Sequence, residues 1–96
     1  MSDKELAERV VALGAGKKID SIYYSWGQQA GKFVRDWRVA GALMEKCLSV
    51  EFITVRRTGE RSAVARAGGP TSDAVDLSLP RAICEACVEA LEQDNE

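Results

Sequence analysis

The sequence contains no histidine. That one absence removes His-based general acid–base catalysis, His–Cys and His–carboxylate metal sites, and Ser–His–Asp or Cys–His nucleophile pairs. No excess of either charge is present, since 13 Lys+Arg stand against 15 Asp+Glu for a formal net charge of -2. Generic nucleic-acid binding and membrane-surface binding both need a basic surplus, so neither is expected. The three cysteines, Cys47, Cys84 and Cys87, are an odd number and a poor disulfide framework, which fits free thiols in a reducing compartment. No apolar run exceeds a few residues, and Met1-Ser2-Asp3-Lys4-Glu5 offers neither a basic n-region nor an apolar h-region. A cytoplasmic location without membrane contact is the expectation.

What remains is a chain of 96 residues, 46% hydrophobic and 29% charged, with no internal repeat and no linker long enough to divide it. Residues 1–96 therefore read as a single domain, which at this length buries about 60–65% of its unfolded surface without needing disulfides or metal. Ser2 followed by Glu5 is a capping box that starts a helix over 3–13, with Leu6, Val10 and Leu13 at helical spacing and Gly14 and Gly16 as the stop. Ile19, Ile22, Tyr23, Tyr24 and Trp26 are bulky and β-rich, so 19–25 reads as a short strand or an ordered loop. Phe33, Trp37, Ala40, Met44 and Cys47, widened by Leu43 and Leu48, mark a helix over 34–47. Gly41 within it implies close approach of another backbone.

Strands over 50–57 and 61–67 flank the turn Thr58-Gly59-Glu60 and form a hairpin. Gly68-Gly69-Pro70-Thr71-Ser72-Asp73 is the most loop-like stretch and is expected to be mobile. A last helix over 79–92 has Ser78 as N-cap, Pro80 in its first turn, and an apolar face built from Leu79, Ala82, Ile83, Ala86, Cys87, Ala90 and Leu91; the acidic tail 92–96 is expected to fray. The fold class that results is α+β, a small antiparallel sheet packed with three helices, with 19–25 as a candidate third strand.

Three groups of residues bear on function. Cys84-Glu85-Ala86-Cys87 has the CxxC spacing of zinc and redox sites, yet four zinc ligands are not at hand and Cys84 lies a turn inside its helix. Helix packing explains the pair more simply, and no cofactor is expected. Arg56, Arg57, Arg61 and Arg66 gather around the hairpin, whereas residues 72–96 hold seven acids against Arg81. Those arginines read either as contacts for a phosphate-bearing ligand or an acidic surface, or as a solvated hairpin paired with the acidic helix. Tyr23, Tyr24, Trp26, Phe33 and Trp37 place five of the six aromatics within fifteen positions. Phe33 and Trp37 are assigned to the core, and Tyr23, Tyr24 and Trp26 either to the core or to an exposed recognition patch. The Gly14-Ala15-Gly16-Lys17-Lys18 stretch follows a helix and lacks the P-loop pattern.

Phe33-Val-Arg-Asp-Trp-Arg-Val-Ala40, Leu43-Met-Glu-Lys46, the hairpin, and Leu79-Pro-Arg-Ala-Ile-Cys-Glu-Ala-Cys-Val-Glu-Ala-Leu91 together resemble the phage ABA sandwich domain family of small bacteriophage and prophage proteins. The resemblance lies in packing motifs and excludes 17–32 and the Gly-Pro-Ser segment after the hairpin. It implies a fold, gives the Ile83-Cys84 pair a structural role, and carries over no catalytic residue. The expected function is that of a non-enzymatic phage or prophage accessory protein that binds a host or phage macromolecule. An inhibitor of a bacterial defence system such as CRISPR-Cas is one form of it. A homo-oligomeric binder of a small phosphate-bearing ligand such as a nucleotide is the alternative.

Overall fold

In a computed structural model of the chain, residues 1–13, 17–27, 29–54 and 59–94 are described. The order is α1 (Asp3–Ala12), α2 (Lys17–Ser25), α3 (Ala30–Phe33), α4 (Trp37–Met44), β1 (Ser49–Thr54), β2 (Arg61–Arg66), β3 (Ser72–Asp76) and α5 (Leu79–Asp94). This is an α+β fold with five helices and one three-stranded antiparallel sheet of order β1-β2-β3. Among the described residues no helix is long and apolar enough to cross a membrane.

Ser2 caps α1 as its sequence implies, its Oγ accepting from the Glu5 N–H at 3.1 Å. The segment 19–25, read from its sequence as a strand or loop, is helical instead. Ile19 and Ile22 are buried, Tyr23 and Trp26 are packed beside them, and Asp20 and Tyr24 point to water. Spacings of three, four and seven residues therefore outweigh the β preference of the individual side chains. Of the helix expected over 34–47 only Trp37–Met44 is helical, and the separate short α3 precedes it. Asp36 separates the two because its carboxylate accepts from the Arg38 N–H at 2.8 Å and starts α4 afresh at Trp37. As a result Trp37 falls off the buried stripe of Val39, Ala40 and Leu43 and is 57% exposed, not a core residue. Gly41 has open space where a Cβ would sit, so no close backbone approach requires it.

The register pairs Val50 with Ala65 and Phe52 with Ala63 across β1 and β2, then Ala63 with Ala74 and Ala65 with Ser72 across β2 and β3. β3 arises within the stretch that reads as a mobile loop. Its alternation of buried Ser72 and Ala74 with exposed Asp73 and Val75 is a period of two that the neighbouring glycines conceal in the sequence. The hairpin turn around residues 55–58 and the stop at Gly14 and Gly16 lie outside the described residues.

α5 organises both layers. It lies on β2 and β3 and, on its other side, on α4 and α1. Arg81 and Glu92 face α1 through Asp3 and Arg9, Cys87 faces Cys47 beyond α4, and Gln93 meets Ser72 of β3. The remaining stripe, Ala82, Ala86 and Ala90 at four-residue spacing, therefore lies over the sheet, opposite Ala63, Ala65 and Ala74. All six alanines are buried, and small side chains on both surfaces allow helix and sheet to approach closely. The apolar part of α5 is covered by the sheet and by α4, and its charged face of Arg81, Glu85 and Glu92 is tied by ion pairs, two of them to α1. The α5 chain continues through Asp94, beyond the expected fraying point, and the Arg9 guanidinium grips both oxygens of Glu92.

Enlarging the middle of this alanine interface tests the arrangement. Ala86→Leu is expected to destabilise the protein by about 1–3 kcal/mol through overpacking, read as a lower denaturant midpoint with an unchanged slope.

Candidate functional site: an aromatic patch organised by Asp36

Among the described residues, the exposed aromatic side chains of the helical layer are Tyr24, near the end of α2, and Trp37, at the start of α4. α2 ends with Ser25 Oγ donating to the Ile22 carbonyl at 2.8 Å, and Gly27 then turns the chain in the left-handed region at φ 60°. Its N–H donates to the Tyr24 carbonyl at 2.9 Å. The short α3 follows and delivers Phe33 to the core, and Asp36 comes after it with its side chain largely buried.

Asp36 is the fixed point. Besides capping α4, it accepts from Trp26 Nε1 at 2.9 Å and from Arg38 Nη2 at 2.7 Å. The Arg38 guanidinium first, then the Trp26 N–H, holds the Asp36 carboxyl at a pKa of about 2 against the opposing effect of burial. Trp26 is also stacked from outside by Lys32, whose Nζ lies 5.4 Å from the ring centroid. The indole is therefore held in one orientation by a hydrogen bond at its edge and a cation on its face.

The three aromatics singled out in the sequence divide by role. Tyr23 is half-buried and packs edge-on against Phe33, with centroids 5.0 Å apart and planes at 75°. Tyr24 contacts Tyr23 edge-on at 6.1 Å but is itself 69% exposed. Trp26 is half-buried and clamped as described. Trp37 joins them as a second exposed ring, directly after the residue that holds Trp26. The signal for it was Asp36, a cap residue whose position shifts the helix start and hence the stripe. Tyr24 and Trp37 thus present large apolar area to solvent on either side of the segment that Asp36 ties to Trp26.

Of the arginines singled out around the hairpin, Arg61 and Arg66 are described, and these two are not drawn together. Arg61 and Arg66 stand at opposite ends of β2, five residues apart and so on opposite faces of the sheet. Arg61 Nε is buried and finds no hydrogen-bond partner among the described residues, and Arg66 is exposed. Arg56 and Arg57 lie outside the described residues. The acidic C-terminal helix takes its cations from elsewhere, Glu92 from Arg9 and Glu85 from Arg81.

Arg81 forms the other charged cluster. Buried to 7% exposure, it donates to Asp3 at 2.7 Å, Asp76 at 2.9 Å, Glu85 at 3.0 Å and the Met1 carbonyl at 2.6 Å, joining α1, β3 and α5. Burial opposes its charge, yet the three carboxylates outweigh that and hold its pKa above the ordinary value. Arg81 and Arg35 hold the Asp3 carboxyl below its usual range. The cation of this acidic cluster is a side chain of the chain itself, and the cluster serves as a structural tie.

Cys84 and Cys87 are buried, Cys47 is half-buried, and all three thiols are shifted away from reactivity. Burial pushes Cys84 up to about 12 and Cys87 upward as well, the latter aided by neighbouring Cys47, whose own pKa is raised by burial. A nucleophilic or redox CxxC needs the opposite shift. No grouping of three or more His, Cys, Asp or Glu able to hold a metal occurs among the described residues. A shallow hollow of about 160 Å³ opens instead on the sheet, lined by Glu51, Phe52, Ser62 and Val64.

No protein-family model, no curated protein and no solved structure matches this chain.

The Asp36 anchor has a pH signature. Its folded pKa is depressed to about 2 from the model-compound 3.8, so its contribution to stability is fully present above about pH 4 and is lost as pH falls through 2. Asp36→Asn is expected to remove that part of the acid sensitivity and Asp36→Ala to cost about 0.5–2 kcal/mol at pH 7, both measured by urea unfolding across the acid range.

Proposed function

We propose that this protein is a non-enzymatic binding module whose contact surface is the aromatic patch of Tyr24, Trp26 and Trp37. The observation that carries the reading is the combination of exposure and rigidity. Tyr24 and Trp37 are 69% and 57% exposed, while Asp36, the residue before Trp37, holds Trp26 and Arg38 by hydrogen bonds. Exposed aromatic anchors on a preorganised support are the residues that dominate protein–protein contacts, because little side-chain entropy is lost on docking. The near-neutral net charge of -2 supports a protein partner over bulk nucleic acid.

The packing-motif resemblance to the phage ABA sandwich family supports a bacteriophage or prophage origin and a cytoplasmic partner of host or phage origin. Within this reading the partner class of greatest interest is a component of a bacterial anti-phage defence system such as CRISPR-Cas, which the protein would inhibit by occupying a surface. Inhibition by occupancy needs no catalytic group. It fits a chain whose Cys84 and Cys87 thiols are buried and which has no histidine.

Pull-down of the tagged protein from bacterial lysate with active defence systems, compared with the Tyr24→Ala/Trp37→Ala double variant, tests the proposal. The expected result is a stoichiometric protein partner whose affinity falls at least about tenfold, some 1.4 kcal/mol, in the double variant while Tm is unchanged. Equal capture by both proteins overturns the assignment of the surface. Release of a bound nucleotide by heat, with no protein partner, overturns the binding class in favour of a small phosphate ligand.

A further inference from the structure

β1 is an edge strand, paired with β2 on one side and with no strand on the other among the described residues. Edge strands are usually protected by lysine, proline, a covering element or inward charge. β1 reads Ser-Val-Glu-Phe-Ile-Thr and carries no such lysine or proline, and Glu51 is its one charge. Among the described residues it is covered from the helical side only in part, at Val50, which packs against the core. Phe52 pairs directly with Ala63 and so shares the inner face of the sheet, yet α5 lies over β2 and β3 and reaches only the margin of β1. Phe52 is left 46% exposed, although Ala63 beside it is fully buried.

We propose that the open edge of β1 pairs antiparallel with β1 of a second copy of this chain, extending the sheet across a two-fold axis at Phe52. Charge selects both the edge and the register. A two-fold that continues one sheet must keep like faces together, so the self-pairing residues are either Glu51 or Phe52 near the strand centre. Centring on Glu51 sets two carboxylates directly opposite each other, which is unfavourable. Centring on Phe52 brings the two aromatic rings together on the inner face and moves Glu51 opposite position 53 of the second copy. The other edge, β3, carries Asp73 and Asp76 within five residues and resists the same pairing. A net charge of -2 adds little long-range repulsion between copies.

A strand of six residues spans roughly 20 Å, a small contact beside the ~800 Å² per partner of a standard interface. The pairing is therefore a reversible, concentration-dependent dimer. It uses the sheet layer and leaves Tyr24 and Trp37, in the helical layer, free for another partner, so it stands or falls separately from the aromatic-patch reading.

Sedimentation velocity of the full chain from micromolar to millimolar concentration tests the dimer, against a monomer mass of 10.4 kDa. The expected result is a rise toward twice that mass in the native protein and a shift of the midpoint by at least about tenfold to higher concentration in Phe52→Lys. The register is read independently with single cysteines. Oxidised Phe52→Cys should cross-link into a covalent dimer, because directly opposed Cα atoms lie about 4.5–5.5 Å apart, and Val50→Cys should not. A native protein that stays monomeric throughout overturns the proposal. So does a dimer that persists in Phe52→Lys without cross-linking through F52C.

Discussion

The structure depends on one helix packed against both layers. α5 carries its alanine stripe toward the sheet, Cys84 and Cys87 toward α4, and Arg81 and Glu92 toward α1. Neither layer has a core without it, since the sheet offers mainly Ala63, Ala65 and Ala74 as its fully covered inner face. Small side chains on both partners let helix and sheet approach closely, and such an interface is intolerant of added volume. Arg81 then fixes the N-terminal end of the arrangement by tying α1, β3 and α5 through carboxylates that would otherwise repel.

That dependence explains which parts of the sequence are legible. α5 and α1 are read correctly because their apolar stripes agree with their burial, and the Ser2 cap marks the start of α1. The hairpin strands follow from β-rich runs on either side of a turn. The segment 17–25 misleads because Ile19, Ile22, Tyr23 and Tyr24 favour strands one by one, while their spacing suits a helix docked on α4. β3 is hidden because five residues between glycines and a helix cap show their alternation only once Ala74 is known to face α5. In both cases tertiary packing decides between local preferences that are nearly balanced.

The same logic applies to the candidate site. Tyr24 is exposed as one of the alternatives in its sequence allowed, but Trp37 changes sides because a single cap residue, Asp36, restarts the helix. Asp36 also binds Trp26, so one carboxylate sets both the helix boundary and the orientation of the patch. Of the arginines that look clustered in sequence, Arg61 and Arg66 are separated by the alternation of β2, which sends them to opposite faces. The result is a molecule with its aromatic surface on the helical layer and its open strand edge on the sheet layer, with α5 between them.

Native-state hydrogen exchange of the α5 amides from Ile83 to Ala90 tests this account most directly. If α5 is the shared core of both layers, these amides exchange only through global unfolding, with the same free energy as denaturant unfolding, and the sheet and α4 lose protection together with them. Exchange of α5 at a distinctly lower free energy, or opening of the sheet while α5 and α4 stay protected, would contradict it.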